Sequence, residues 1–214
     1  MASIGLLGGT FDPIHFGHLR MAEELAQSLK LDKVKFLPAA LPPLKTQPST
    51  SANHRSAMVQ LAIANNAGFE LDARELKRDG PSYTIDSLRS LRRELTENDR
   101  LVWFIGSDAF KQFHRWHHWQ DIIQLCHIVL VARPNDQLAN DLDPALLNFL
   151  QDHYTENSAD LNREPAGLIT MQAITPLSIS STALREQLTG HQSARYLTPD
   201  SVLDYIAQHG LYQN

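Results

Sequence analysis

The chain has 214 residues, of which 43% are hydrophobic and 20% are charged, as expected of a folded domain with its own core. Its 19 basic and 24 acidic residues give a formal net charge of -5, which argues against a general nucleic-acid or membrane-surface binder. The single cysteine, Cys126, excludes an intrachain disulfide and a thiolate zinc cluster, so we expect a reducing, cytoplasmic setting.

Apolar strands alternate with amphipathic helices along the chain. Apolar runs predict strands at residues 3–7, 34–37, 69–71, 101–105, 128–132 and 168–171. Apolar residues at helical spacing predict helices at residues 17–29, about 53–65, 85–95, about 144–151, from Ser180 or Ser181 to Leu188, and about 199–209. No stretch approaches the roughly 20 apolar residues that would span a membrane.

This alternation predicts one α/β domain over residues 1–214, a Rossmann-like, doubly wound parallel sheet with helices on both faces. Residues from about 180 to 214 are expected to form a C-terminal helical segment. In such sheets, ligands bind beyond the carboxyl ends of the strands, at a point where the strand order reverses.

Individual residues refine two of these helices. In the helix around residues 53–65, Met58, Leu61 and Ala62 are expected to face the core. Ser82 or Thr84 is expected to cap the helix that follows, since hydroxyls accept bonds from the first free N–H groups of a helix.

The most specific stretch runs from Gly8 to His18 and reads Gly-Gly-Thr-Phe-Asp-Pro-Ile-His-Phe-Gly-His. Two glycines after a strand let the backbone come close to a bulky anion. His15 and His18 share one face of the first helical turn, and a helix N-terminus attracts phosphate. A zinc pair is an alternative, although no third ligand stands at a recognisable spacing.

A second polar group begins the helix near residue 181. The segment Ile-Ser-Ser-Thr-Ala-Leu-Arg, residues 179–185, places three hydroxyls at the helix start and Arg185 one turn further on. Hydroxyls and free backbone N–H groups can cradle phosphates, and arginine adds planar, charge-assisted hydrogen bonds. A well-capped surface helix is the simpler interpretation of this segment alone.

Together the two segments resemble the paired signatures of the nucleotidylyltransferase superfamily, whose members transfer a nucleotidyl group from a nucleoside triphosphate to a phosphate or similar acceptor. The resemblance implies that His15, His18 and Arg185 act in catalysis. It also implies an ATP site, formed in these segments by Gly8, Gly9, Thr10, Phe11, Ile179, Ser180, Ser181 and Thr182.

Two shorter segments resemble bacterial nicotinate-mononucleotide adenylyltransferases. Pro42-Pro43-Leu44-Lys45 is similar to their Pro-Pro-His-Lys segment, with Leu44 in place of the histidine, and implies a catalytic role for Lys45. A solvated loop lysine is the simpler interpretation. Pro-Ser-Tyr-Thr, residues 81–84, lines the pyridine carboxylate pocket in that family, so the resemblance implies that Ser82, Tyr83 and Thr84 bind nicotinate mononucleotide.

The aromatic and histidine cluster at residues 114–119 contains Trp116. Partial burial or a metal site would explain the cluster, but Trp116 aligns with a tryptophan that stacks on the pyridine ring in the resembled family. An electron-poor pyridinium over an indole face is favourable. The resemblance also places Gly106 and Asp108 near the ATP ribose, and Arg133 near the adenine or the phosphates.

The resemblance implies adenylyl transfer from ATP to nicotinate mononucleotide, with Mg²⁺ held by phosphates and water rather than by a protein cage. A sister transferase acting on phosphopantetheine or a riboflavin phosphate is the nearest alternative. A non-catalytic nucleotide sensor and a histidine-rich metal-binding protein are two others. The oligomeric state is not readable from the sequence, and a homo-oligomer is compatible with it.

Overall fold

The structure is a computed structural model that describes residues 1–44, 48–132 and 142–213. Six strands form one sheet in the order β3-β2-β1-β4-β5-β6, and the pairs β1–β4, β4–β5 and β5–β6 are parallel. The strands are β1 (Ser3–Gly9), β2 (Lys33–Pro38), β3 (Phe69–Leu71), β4 (Arg100–Gly106), β5 (His127–Ala132) and β6 (Ile169–Ala173). The predicted Rossmann-like α/β class is confirmed.

Helices connect these strands, and their bounds follow the predicted ones closely. They are α1 (Phe16–Ser28), α2 (Ala52–Ile63), α3 (Thr84–Arg92), α4 (Ser107–Phe110), α5 (Trp119–Ile122), α6 (Pro144–His153), α7 (Ser181–Thr189) and α8 (Asp200–Gln208). The four-residue helices α4 and α5 are too short to show a helical period in the sequence. Within the three described ranges, no helix is long and apolar enough to cross a membrane.

The central strands are apolar on both faces. In β4, the five side chains from Leu101 to Ile105 are each at most 4% exposed. In β5, Ile128, Val129 and Leu130 are fully buried. Continuous apolar runs of this kind belong to parallel strands that are covered on both faces.

The chain divides into two compact units. Unit 1 comprises residues 1–7, 24–34 and 83–174, and unit 2 comprises residues 8–23, 35–82 and 175–214. The single domain expected over residues 1–214 stays a prediction.

One half-buried polar group of unit 1, the Arg92 side chain, has several hydrogen-bond partners. The Arg92 guanidinium donates to the carbonyl oxygens of Leu125, Asp99 and Pro165 at 2.7, 2.6 and 2.9 Å. The Cys126 thiol is fully buried, and burial raises its pKa to about 12. A thiol held in this way stays protonated and is a poor nucleophile.

In unit 2, the inward face of α2 differs from the predicted one. Met58 is fully buried as expected, but Leu61 is 37% exposed. Arg55 and Val59 accompany Met58 instead, with Arg55 only 1% exposed. The expectation for Leu61 was wrong because a buried arginine, which hydrophobic periodicity does not register, occupies the core-facing stripe.

The cap predicted for α3 was also wrong. Tyr83 is the N-cap residue of α3 and makes no side-chain capping bond. The Ser82 hydroxyl accepts instead from the backbone N–H groups of Ala40 and Leu41 at 2.9 and 3.1 Å. The prediction for α7 holds, since the Ser180 hydroxyl accepts from the Ala183 N–H at 3.2 Å.

Candidate active site

The two histidines of the first motif lie face to face at the start of α1. The ring centroids of His15 and His18 are 3.7 Å apart with an interplanar angle of 30°. His18 Nδ1 accepts from the His15 backbone N–H at 3.3 Å. A neutral His18 therefore carries its proton on Nε2, which makes Nε2 the hydrogen-bond donor of that ring.

His15 is the more buried member of the pair. Its side chain is 6% exposed, and burial lowers its pKa from 6.5 to about 4, so the ring is neutral near pH 7. Its Nδ1 is buried with no hydrogen-bond partner in the described part of the chain. A Cβ at Gly17 would lie 2.9 Å from this nitrogen, so Gly17 makes room for the ring.

Phe11 packs against His18. It is 2% exposed, has a left-handed φ of 50°, and meets the His18 ring edge-on at 5.1 Å. A Cβ at Gly9 would come within 3.0 Å of the Phe11 ring. The second glycine of the motif therefore leaves space for the aromatic side chain that supports His18.

Asp12 connects the motif to other segments of unit 2. Its carboxylate is 4% exposed, and Oδ2 accepts from the N–H and the hydroxyl of Ser49, each at 2.9 Å. Oδ1 accepts from the Tyr212 hydroxyl at 2.6 Å. Because both oxygens are occupied, Asp12 holds the loop in place and is not poised to act as a base.

The structure brings the second motif against the first. Arg185 Nη1 donates to the Asp12 carbonyl oxygen at 2.7 Å, although the two residues are 173 positions apart in sequence. The Ser181 hydroxyl donates to the Pro13 carbonyl oxygen at 2.9 Å. Arg185 Nη2 lies 3.4 Å from Thr182 Oγ1. The two polar segments therefore lie together in unit 2 and combine the histidine pair, hydroxyl groups and one guanidinium in a single candidate site.

The remaining residues assigned to ATP in this region differ in exposure. Ile179 is half-buried, while Ser180 is exposed and caps α7. Gly8, Gly9 and Thr10 are half-buried at the carboxyl end of β1. All five lie in unit 2, together with the histidine pair and Arg185.

Arg55 is a residue of this site that the sequence did not point to. Its Nη1 donates to the Thr10 carbonyl at 2.6 Å, its Nε to the Thr50 carbonyl at 3.1 Å and its Nη2 to the Ala40 carbonyl at 3.3 Å. One guanidinium therefore joins the loop after β1, the loop after β2 and the segment that leads into α2. The signal available in the sequence was an arginine three residues before Met58, a spacing that places both on one helix face.

Several predicted acceptor-binding residues lie in unit 1. Tyr83 stacks on His117, with ring centroids 4.3 Å apart and an interplanar angle of 27°. Trp116 is half-buried and meets the Trp103 ring edge-on at 6.4 Å. Thr84 is half-buried at the start of α3. Ser82 lies in unit 2, where it binds the backbone after β2.

The predicted ribose-binding residues also lie in unit 1. Gly106 ends β4, and Asp108 is exposed in the first turn of α4. Lys45 and Arg133 lie outside the described residues.

The described residues do not form a metal cage. Within residues 1–44, 48–132 and 142–213, no group of three or more histidine, cysteine, aspartate or glutamate side chains could hold an ion. The buried carboxylate of the first motif, Asp12, has both oxygens occupied by hydrogen-bond donors.

Comparisons with known proteins agree on one family. A family model described as cytidylyltransferase-like matches residues 6–187. A curated protein of Dechloromonas aromatica named "Probable nicotinate-nucleotide adenylyltransferase" is 46% identical over 99% of this chain and 98% of its own length. A protein of Pseudomonas syringae pv. tomato with the same name is 45% identical over 98% of this chain and 93% of its own.

Solved structures share the fold. Plasmodium falciparum nicotinic acid mononucleotide adenylyltransferase complexed with NaAD matches with a TM-score of 0.71 at 20% identity, over 99% of this chain and 98% of that one. The same protein complexed with APC matches with a TM-score of 0.70 at 19% identity and the same coverage.

Proposed function

The chain belongs to the cytidylyltransferase-like family and, within it, to the nicotinate-nucleotide adenylyltransferases, and we propose that the site in unit 2 transfers the adenylyl group of ATP to nicotinate mononucleotide. The products are nicotinate adenine dinucleotide and pyrophosphate, so the reaction is a step of NAD biosynthesis. The observation that carries this proposal is the contact of Arg185 with Asp12, which unites the two phosphate-binding motifs.

The chemistry needs little from the protein beyond placement and charge. The second pKa of a phosphate monoester is about 6, so the acceptor phosphate is already largely ionised near pH 7 and needs no general base. One of its oxygens forms a bond to the α-phosphorus of ATP as the bond to the bridging oxygen breaks and pyrophosphate leaves. Catalysis then consists of in-line positioning and stabilisation of the charge that develops on the phosphoryl oxygens.

The described residues supply donors for this charge. His18, whose Nδ1 already accepts a bond, directs its Nε2 proton to a phosphoryl oxygen. His15 is neutral and donates through a ring N–H rather than through a positive charge. Arg185, anchored through Nη1 to Asp12 and through Nη2 to Thr182, presents its remaining N–H groups to the triphosphate and the leaving pyrophosphate.

The remaining residues assigned to ATP have supporting roles in the same reaction. Thr10 and the backbone near Gly8 and Gly9 help place the α-phosphate, and Phe11 acts through His18 because it is buried. Residues 179–182 line the triphosphate from the start of α7. For Lys45, which would steady the leaving group, and Arg133, which would bind the adenine or the phosphates, the proposal rests on the sequence motifs alone.

Mg²⁺ fits the reaction as part of its substrate. As the family resemblance implies, the ion arrives bound to ATP and is held mostly by phosphate oxygens and water. The ion offsets part of the triphosphate charge, and the protein residues named above bind the remaining oxygens.

From the sequence motifs, the nucleotide acceptor is assigned to Ser82, Tyr83, Thr84 and Trp116. Trp116 is half-buried and keeps part of its indole exposed for a pyridine ring. The N-terminus of α3 at Tyr83 and Thr84 provides N–H groups for the pyridine carboxylate. Gly106 and Asp108 bind the ATP ribose.

The test is pyrophosphate release from Mg-ATP with one acceptor at a time. Nicotinate mononucleotide, nicotinamide mononucleotide and phosphopantetheine are supplied in separate reactions. We expect a strong preference for nicotinate mononucleotide. Activity with phosphopantetheine alone would retain the chemistry but overturn the acceptor, and ATP binding without turnover would favour a nucleotide sensor.

A further inference from the structure

Tyr212, in the segment after α8, contacts the histidine-bearing loop. Its hydroxyl donates to Asp12 Oδ1 at 2.6 Å, and its backbone carbonyl accepts from Thr189 Oγ1 on α7 at 3.3 Å. Tyr212 also has a left-handed φ of 59°, which non-glycine residues rarely adopt. Tertiary contacts in unit 2, rather than local backbone preference, therefore hold this residue.

We propose that Tyr212 is a positioning residue for adenylyl transfer, which holds the Asp12 carboxylate and thereby sets the place of Arg185 beside the histidine pair. This inference rests on the proposed function for the identity of the reaction. Tyr212 is not part of either phosphate-binding motif, and nothing in the sequence pattern around it indicates a role in the site.

The contacts of Asp12 explain how the effect is transmitted. Arg185 Nη1 donates to the Asp12 carbonyl oxygen at 2.7 Å and lies 4.0 Å from Oδ2 of the same residue. If Oδ1 loses its donor, only the two Ser49 bonds to Oδ2 hold the carboxylate, and Oδ1 can tilt toward the guanidinium. A guanidinium that pairs in the bidentate manner with Asp12 presents fewer N–H groups to phosphate.

A neutral donor suits this position better than a cation. The phenol occupies one carboxylate oxygen without adding a charge that would compete with Arg185 for the same phosphates. Burial and the bond to Asp12 raise the pKa of Tyr212 above its ordinary value, so the hydroxyl keeps the proton that it donates.

The test compares Tyr212→Phe with Tyr205→Phe. Each substitution removes one phenolic hydroxyl from unit 2, but that of Tyr205 bonds to His54 Nδ1 at 2.9 Å and not to Asp12. The Tyr212 hydroxyl donates to a charged carboxylate, and a hydrogen bond to a charged group is stronger than one between neutral groups. We therefore expect kcat/KM for ATP to fall about tenfold in Tyr212→Phe. The KM for nicotinate mononucleotide should stay unchanged, and Tyr205→Phe should match the wild type in both parameters.

Two results would overturn the proposal. One is wild-type kinetics in Tyr212→Phe, and the other is an equal fall in kcat/KM in both variants, which would indicate a structural role alone. A double-mutant cycle with Arg185→Lys adds a second criterion. If Tyr212 acts through Arg185, the fall in kcat/KM in the double variant is smaller than the product of the falls in the two single variants. A fall equal to that product would contradict the proposed route.

The proposed function can fail separately. If the wild type binds Mg-ATP but releases no pyrophosphate with any acceptor, the transferase reaction is wrong. The positioning role is then decided by titration calorimetry with Mg-ATP. Weaker binding in Tyr212→Phe alone would support it, and equal affinity in the wild type and both variants would overturn it.

Discussion

Arg92 of unit 1 and Arg55 of unit 2 each donate hydrogen bonds to three backbone carbonyls. All three acceptors of Arg92 precede strands, whereas two of the three acceptors of Arg55 follow strands. The carbonyls that Arg92 binds belong to Asp99, Leu125 and Pro165, in the segments that lead into β4, β5 and β6. Arg55 binds the carbonyls of Thr10 and Ala40, which follow β1 and β2.

The difference in position predicts a difference in role. Parallel α/β sheets bind ligands beyond the carboxyl ends of their strands. Hydrogen bonds that join segments at the amino ends therefore stabilise the fold, whereas those at the carboxyl ends also position the ligand-binding loops. We therefore expect the same kind of contact to be structural in unit 1 and to support the proposed active site in unit 2.

Two buried histidines repeat the contrast. In unit 1, His127 lies 2.8 Å from the Glu164 carbonyl through Nε2 and accepts from the Leu168 N–H at 3.1 Å through Nδ1, so both ring nitrogens are paired. In unit 2, His15 Nδ1 is buried with no hydrogen-bond partner among the described residues. Fully paired groups rigidify a core, while a group left unpaired in a binding site is one that a ligand can satisfy.

The largest effect is expected at His18. Removal of one preorganised donor from a site of developing charge typically lowers kcat by about 10²–10³, and we expect His18→Ala to lose at least that. The fold should remain intact because His18 is only half-buried. Pyrophosphate release and thermal unfolding check the two parts of this prediction. Wild-type turnover in His18→Ala would refute the assignment of the site.

The arginine pair tests the comparison directly. Lysine keeps the charge but cannot bind three carbonyls in one plane, so Arg55→Lys and Arg92→Lys should each lose about 1–3 kcal/mol of stability. We expect kcat/KM to fall about 10–100-fold in Arg55→Lys only, because displacement of the loops after β1 and β2 misplaces catalytic groups. Kinetics per folded molecule, with the folded fraction taken from denaturant titrations, separates the two variants.

If Arg92→Lys loses as much activity per folded molecule as Arg55→Lys, the distinction between the two ends of the strands is not functional. The same conclusion would follow if Arg55→Lys lost stability but retained its kcat/KM.

Gly17 and Gly5 allow the same comparison of the two units, with smaller expected effects. A Cβ at Gly17 would lie 2.9 Å from His15 Nδ1, and one at Gly5 would lie 2.6 Å from Phe104 Cζ in the core of unit 1. We expect Gly17→Ala to lower kcat about tenfold by moving the His15 ring, with little loss of stability because alanine favours a helix by about 1 kcal/mol. Gly5→Ala should cost about 1–3 kcal/mol of stability through overpacking and leave kcat unchanged. Unchanged kcat in Gly17→Ala would show that the His15 ring tolerates the displacement.

The sequence predicted the strands and the main helices because these depend on local spacing, whereas the predicted role of the two motifs came from their resemblance to a known superfamily. A buried strand has its apolar run, and the histidine pair has its glycines and Asp-Pro within eleven residues. The bounds of β1 and β4 differ from the predicted ones by at most two residues at either end.

The supporting residues were not predictable, since their roles arise only from tertiary contacts. An arginine in a helix, such as Arg55, has the same local pattern whether it faces solvent or three carbonyls. Tyr212 reaches Asp12 across 200 positions of sequence, and no periodicity encodes that distance. Ser82 was expected to cap α3, but its hydroxyl binds the backbone after β2 instead.

The smallest expected effect is on the pH dependence of stability, and it arises from His15. Its pKa is about 4 in the folded protein and 6.5 when exposed, so the unfolded state binds more protons and stability falls as the pH falls below 6.5. Between pH 7.5 and 5.5 the free energy of unfolding falls by about 1 kcal/mol from this cause. Burial lowers the pKa of His127 as well, so that histidine contributes in the same direction. We therefore expect the free energy of unfolding of His15→Gln to vary less with pH than that of the wild type, with the contribution of His127 retained. Denaturant titrations at several pH values measure both slopes, and equal slopes would mean that His15 titrates in the folded protein as it does in water, contrary to its burial beside His18.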